Sequence, residues 1–224
     1  MTTCVILQSN YIPWKGYFQL IDKADIFVFY DIVQYTKNDW RNRNRIMTQN
    51  GPTWLTIPVS VNSDTLIDEV QLPQGKWRKN HPKTVRHSYG KTSHMSDAVE
   101  LLATRLNDST ITSLSELNQK LITDISNYLG IETKFVNSRD LEPQGERIDK
   151  LIDICNKVGA DTYLSGPAAR DYIGDEFEQA GITLEWMEYG PYPVYDQAGP
   201  EFSHQVSILD LIAHLGKDAI NHLR

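Results

Sequence analysis

The chain has 224 residues, 40% of them hydrophobic and 23% charged, with a formal net charge of −7 at pH 7. That composition excludes global disorder, and the acidic balance argues against a nucleic-acid coat or a membrane-surface binder. No run of about 18 apolar residues offers a membrane span, no basic leader follows Met1, and the only cysteines, Cys4 and Cys155, read as buried small hydrophobes suited to a reducing cytoplasm.

The first apolar run, Cys4 to Gln8, predicts a strand. A polar turn with Pro13 and Gly16 follows, then a helix from about Lys15 to Lys23. Such a turn leaves backbone N–H groups at the helix start free to meet an anion. Ile26 to Tyr30, ending in Asp31, is a continuous apolar run of the kind buried on both faces in a parallel sheet. Arg41, Arg43 and Arg45 alternate with Asn42 and Asn44 in an extended segment, and Asn50-Gly51 turns the chain back through Trp54 to Val59, a β-hairpin. A short strand is expected at Glu69 to Leu72. Helical stripes follow at Pro82 to Gly90, Ser96 to Leu106 and Ser113 to Leu129, the last closed by Gly130. Glu132 to Val136 predicts a strand, Glu146 to Val158 an amphipathic helix ended by Gly159, and Thr162 to Leu164 a strand. A helix over Ala168 to Ala180, broken at Gly174, leads to a strand at Leu184 to Tyr189, a Gly/Pro-rich loop at 190 to 200, and a closing helix at Ser207 to Leu215.

This alternation predicts an α/β fold, a Rossmann-like and mainly parallel sheet flanked by helices. The hairpin and a basic helical segment form an inserted subdomain at about 36–110 within one domain of residues 1–224. From Lys37 to Lys91 there are ten basic residues against four acids, a net of +6, so the remainder carries −13. A basic zone on an acidic protein suits a small anionic ligand.

Four groups of residues offer chemistry. Ligands of open α/β sheets bind beyond the carboxyl ends of the strands, where Gln8, Asn10, Tyr11 and Lys15 project. The turn is neither a P-loop nor a dinucleotide fingerprint, and Trp14-Lys15-Gly16-Tyr17 stands where adenylate-forming folds carry His-x-Gly-His. The plain alternative is a turn packed by Tyr11, Trp14 and Tyr17. Around the hairpin, Asp31, Gln34, Tyr35, Lys37, Trp40, Arg41, Asn42, Arg43 and Asn44 combine groups for phosphates, hydroxyls and a stacked ring; the alternative is a solvated edge strand. His81 and His87 lie in a segment without acids between Glu69 and Asp97, and His81 is a candidate general base or phosphate donor. Ser165-Gly166-Pro167, with Arg170 one turn on, is a second strand-to-helix turn, where Ser165 is a ligand contact or a plain N-cap. Tyr195, Gln197, Phe202, Ser207 and Asp210 in the tail read as structural, Asp210 because a carboxylate in a first helical turn is favoured by the helix dipole. No spacing predicts a metal site.

Gln8-x-Asn10-Tyr11-x-Pro13-x-x-Gly16-Tyr17-Phe18, Asp31-x-Val33-Gln34-Tyr35, Trp40-x-Asn42-Arg43-Asn44, Trp54-Leu55-Thr56-Ile57-Pro58-Val59, Tyr163-Leu164-Ser165-Gly166 and Ser207-Ile208-Leu209-Asp210 occur in this order. Together they resemble the WbqC-like family over essentially the whole chain, departing from it at Ser9, where the family pattern has Pro. The resemblance implies a role in bacterial surface-polysaccharide or O-antigen biosynthesis, with acylation or aminoacylation of an amino sugar carried on a nucleotide.

The expected function is therefore a cytoplasmic transferase that binds a nucleotide-linked amino sugar and forms an amide on it, with His81 or Asp31 as base and an acyl thioester or an ATP-derived acyl-adenylate as donor. The alternatives are a nucleotidyltransferase-like ATP-dependent ligase and a non-catalytic binding protein of the same pathway. No nucleic-acid partner is expected, and a homodimer is left open.

Overall fold

A computed structural model describes residues 1–224. Its strands are β1 (Thr3–Leu7), β2 (Ile26–Phe29), β3 (Arg43–Thr48), β4 (Gly51–Thr56), β5 (Lys134–Asn137), β6 (Thr162–Ser165) and β7 (Thr183–Trp186). Five of them form one sheet in the order β5-β2-β1-β6-β7, with every pairing parallel. β3 and β4 form a separate antiparallel hairpin. The fold is α/β and Rossmann-like.

The apolar runs of the sequence are strands with two buried faces. Val5, Phe27, Phe29 and Leu164 join one core cluster, while their neighbours Cys4, Ile6, Ile26, Val28 and Tyr163 join another. This is the period-two alternation of a strand that has cover on both sides. The helices are α1 (Lys15–Asp22), α2 (Trp77–Ser88), α3 (Met95–Asn107), α4 (Leu114–Leu129), α5 (Ser138–Leu141), α6 (Arg147–Val158), α7 (Glu176–Gln179) and α8 (Ile208–Leu215). α1, α2, α3, α4, α8 and the hairpin share the first core; α6 and α7 cover the other face through Ile154, Cys155 and Phe177. α4 shows how directly sequence sets these elements. Ser113 Oγ accepts from the Glu116 N–H at 3.3 Å, Leu114, Leu117, Leu121, Ile125 and Leu129 are buried, and Gly130 ends the helix at φ 72°. Gly159 ends α6 at φ 70° in the same way.

Three expected elements differ. α2 starts at Trp77, five residues before Pro82, so Pro82 lies inside the helix rather than at its first position. Residues 69–72 are not a strand: a 3-10 turn at Ile67–Glu69 is followed by an isolated bridge from Gln71 to Ser113. The helix expected over 168–180 is a 3-10 turn at Pro167–Asp171 and the single-turn α7, separated around Gly174. Gly174 interrupts the periodicity, and Ala169, Ile173 and Phe177 supply its buried contacts.

From Met187 to Val206 the chain runs for 20 residues without helix or strand. Loops of that length in a folded domain usually carry function. This one lies against the turn between β1 and α1.

Candidate functional site

The turn from Gln8 to Trp14 is held from several directions. The Tyr11 N–H donates to the Trp40 carbonyl at 2.9 Å, the Ile208 N–H to the Pro13 carbonyl at 2.8 Å, and Trp14 bridges to Ser207. Asn44 Nδ2 donates to the carbonyls of Tyr11 (3.2 Å) and Ile12 (3.0 Å). Ile12 has φ 39°, a left-handed conformation that is costly for a β-branched residue. Strain of this kind persists where the surroundings over-determine it, and here the buried Asn44 clamp does so.

A cavity of about 310 Å³ opens beside this turn, lined by Asn10, Pro13, Trp14, Trp40, Asn44 and Gln205. That volume lies in the range of small-molecule sites. Asn10 Oδ1 is buried and has no hydrogen-bond partner. At the rim Trp40 stacks on Trp54, with ring centroids 5.7 Å apart and tilted by 35°. The Arg43 and Arg45 guanidiniums lie over the Trp54 ring at 4.4 and 5.4 Å, and Arg45 Nη2 donates to the Gln205 carbonyl at 3.2 Å. Amides for hydroxyl groups, indole faces for a ring and guanidiniums for anions meet at one opening.

Gly16 sets the position of Trp14. A Cβ at Gly16 would lie 2.3 Å from a carbon of the Trp14 ring. Gly16→Ala is therefore expected to lower stability by about 1–3 kcal/mol and to displace Trp14 from the cavity wall, checked by urea denaturation and by the indole emission of the folded protein.

The residues expected from the sequence fall into three groups. Asn10, Trp40 and Asn44 line the cavity, and Arg43 stands at its rim. Gln8, Arg41 and Asn42 brace it: Arg41 Nη2 donates to Gln8 Oε1, Arg41 pairs with Asp39 at 3.1 Å, and Asn42 Nδ2 donates to the Ile57 carbonyl at 2.9 Å. The rest lie elsewhere. Tyr11 and His81 are buried and share a hydrogen bond of 2.8 Å, with the His81 ring also against Trp77. Burial pushes the His81 pKa down to about 4, against a smaller opposing effect of the Thr56 backbone. Asp31 is fully buried at the end of β2, accepting from the Ser9 N–H (2.8 Å), Ser115 Oγ and Gln119 Nε2 (3.0 Å). Gln34 donates to the Ser63 carbonyl, Tyr35 is buried and Lys37 is exposed. Ser165 is buried beside Tyr163, and Arg170 is exposed over Trp186. The two turns approach each other through Tyr189, whose ring lies 5.3 Å from that of Trp14 at a tilt of 54° and whose hydroxyl would be 3.7 Å from a Cβ at Gly166.

Behind Trp14 lies a group that the sequence did not bring together. Lys15, the first residue of α1, is 3% exposed. Its Nζ has no hydrogen-bond partner and lies over the rings of Tyr192 (4.7 Å) and Tyr195 (5.5 Å). Burial lowers its pKa to about 8, and the charge of Asp210 opposes that shift. Asp210 is fully buried in α8; its Oδ1 accepts from the Tyr195 hydroxyl and from Gln197 Nε2 (2.9 Å), while Oδ2 has no partner. His204 and His222 flank the two tyrosines, each with an unpartnered Nδ1 and each with its pKa lowered by burial and then by the charge of Lys15. No group of three or more His, Cys, Asp or Glu side chains is placed to hold a metal ion, and no helix is long and apolar enough to cross a membrane. The available signal was a lone carboxylate in the apolar run Ile208-Leu209-Asp210-Leu211-Ile212, but nothing in the sequence ties it to a lysine 195 positions earlier.

Comparison with known proteins gives two matches. A family model described as the WbqC-like protein family matches residues 8–222. The chain is also 40% identical, over 232 aligned positions, to a protein of Mycobacterium tuberculosis named uncharacterized protein Rv1507c, covering 100% of this chain and 98% of that protein. No solved structure matches the chain.

Proposed function

Since this chain belongs to the WbqC-like protein family, we propose that it is a transferase of a surface-polysaccharide pathway, acting in the cytoplasm, which forms an amide on the amino group of a nucleotide-linked sugar. The observation that carries this reading is the cavity at the end of β1, where Asn10, Asn44 and Gln205 meet the indoles of Trp14 and Trp40 beside Arg43 and Arg45. A pyranose ring lies against indole faces while its hydroxyls bond to amides, and a diphosphate is held by guanidiniums. Asp31 and His81 enter the proposal as the residues that fix the wall, through Ser9 and Tyr11 respectively. α1 begins without a side-chain cap and the Tyr17 N–H is taken by the Trp14 carbonyl at 3.1 Å, so the Gly16 amide is the proposed donor to the tetrahedral oxyanion.

The test is a thermal-shift screen against free nucleotides and nucleotide-linked 3-amino and 4-amino sugars, followed by mass spectrometry of mixtures with acyl thioesters, or with carboxylic acids and ATP. A ligand at 100-fold its dissociation constant adds about 2.7 kcal/mol of stability, which raises Tm by roughly 5–10 °C in a domain of this size. The same ligand is expected to lose most of that shift on Arg43→Ala or Trp54→Ala. A protein that binds no nucleotide sugar and forms no amide overturns the reading.

A further inference from the structure

We propose that Lys15 is the proton acceptor of the reaction, held unpartnered between Tyr192 and Tyr195, with Asp210 as its positioning residue. The inference rests on the transferase reading above and adds to it the group that makes the sugar nitrogen nucleophilic.

Three independent features converge on this amine. It is enclosed, yet no acceptor meets any of its N–H groups, and a buried donor left in that state costs free energy that a structural role does not recover. It stands one ring behind the cavity wall: Trp14 forms part of that wall and packs edge-on against Tyr192, with ring centroids 6.1 Å apart, and the amine lies over that same Tyr192 ring. Its surroundings come from the 20-residue loop, α8 and the turn at Gly216–His222, three consecutive elements that lie far from Lys15 in the sequence. The titratable groups around it are Tyr192, Tyr195 and His204 from the loop, Asp210 from α8 with His214 3.8 Å from its carboxylate, and His222 from the last turn. Of these, Asp210 supports the ammonium form, while burial favours the neutral amine. A lysine poised between the two forms near neutral pH suits proton transfer.

The sugar nitrogen bonds to the carbonyl carbon of an activated acyl donor, and the neutral Lys15 amine takes one proton from that nitrogen. The bond from the carbonyl carbon to the leaving group breaks with its electron pair, and the Lys15 ammonium gives the same proton to the departing group. Amine and acyl donor become amide and protonated leaving group, and Lys15 is regenerated. Tyr195 and Gln197 donate to Asp210 Oδ1, which fixes the carboxylate.

Two measurements on the full-length protein test this. In NMR of the protein with carbon-13 and nitrogen-15 labelling of its lysines across pH 6–11, Lys15 is expected to titrate well below the other lysines and to shift its resonance when the nucleotide sugar that raises Tm binds. In turnover, Lys15→Met and Lys15→Arg are expected to retain the ligand-induced thermal shift while losing roughly 100-fold or more in kcat, the usual contribution of a general base. The wild-type rise of kcat with pH should vanish in Lys15→Arg. That variant keeps the charge without a readily lost proton, and serves alone if Lys15→Met does not fold. Amide formation by either variant at the wild-type rate overturns the role of Lys15 and leaves the transferase reading intact. A wild-type protein that binds nucleotide sugars yet forms no amide from thioester or acyl-adenylate overturns the transferase reading itself, whatever the titration shows.

Discussion

Acidification from pH 7 to 4 is expected to remove roughly 3 kcal/mol of stability through His81 alone. The unfolded imidazole binds its proton near 6.5, whereas burial holds the folded one near 4. Between those values the unfolded state carries more protons, so falling pH favours unfolding. The contribution is fully present above about pH 6.5 and is lost as the pH drops toward 4. The imidazole has little room to respond otherwise, because its ring lies between Tyr11 and Trp77 and its Nδ1 is taken by the Tyr11 hydroxyl. His204 and His222 shift in the same direction but are partly exposed, so their effects are smaller. Urea denaturation at pH 7.5, 5.5 and 4.5 should show the loss in wild type and a much flatter profile in His81→Gln, which retains an acceptor for Tyr11 but does not titrate. Equal pH dependence in the two proteins would show that another group sets acid stability.

Asp31→Asn is expected to cost about 3 kcal/mol, because the buried carboxylate accepts three hydrogen bonds and an amide can accept from only part of that set. The NH₂ of the new residue would face at least one of the donors on Ser9, Ser115 or Gln119, leaving that donor buried and unpaired. For a chain of this length Tm should fall by about 2–4 °C per kcal/mol. The damage is not confined to stability. Asp31 joins the end of β2 to the start of the cavity turn at Ser9, and Asn118 Nδ2, from the same helix that carries Ser115, donates to the Ser9 carbonyl at 3.4 Å and to the Arg41 carbonyl at 2.8 Å. Ligand affinity should therefore fall in Asp31→Asn even well below its melting temperature. Gln119→Leu, which removes one donor and leaves the other two bonds in place, should cost less on both measures.

The sheet was legible in the sequence because its strands are buried on both faces: Val5 to Leu7 and Ile26 to Phe29 need no tertiary information to be read. The caps at Gly130 and Gly159 were legible for the same local reason. Pro82 misled the start of α2, since proline favours a first helical position and the helix here tolerates it further in. For the site, local chemistry marked Asn10, Trp40, Arg43 and Asn44, which share one turn and one hairpin. It gave no means of finding Gln205 or the grouping of Lys15 with Asp210, because their proximity arises only when the last helix docks on the first turn. Basic character was also too coarse a guide. The zone from Lys37 to Lys91 divides in three dimensions, with Arg43 and Arg45 at the cavity and Lys76, Lys79 and Lys83 beside a separate surface hollow between α2 and α3.

The strand order carries a consequence for the chain as it is synthesised. β1 is the central strand, and its register pairs Thr3 with Thr162. At roughly 5–20 residues per second a ribosome takes on the order of ten seconds or more to cover that interval. Throughout it β1 has β2 on one side and an open, apolar hydrogen-bonding edge on the other. Such edges template aggregation, and non-local parallel pairing of this kind folds slowly. The nascent chain is thus most vulnerable before Ser165 emerges, and the same late event that completes the sheet brings the second turn toward the first.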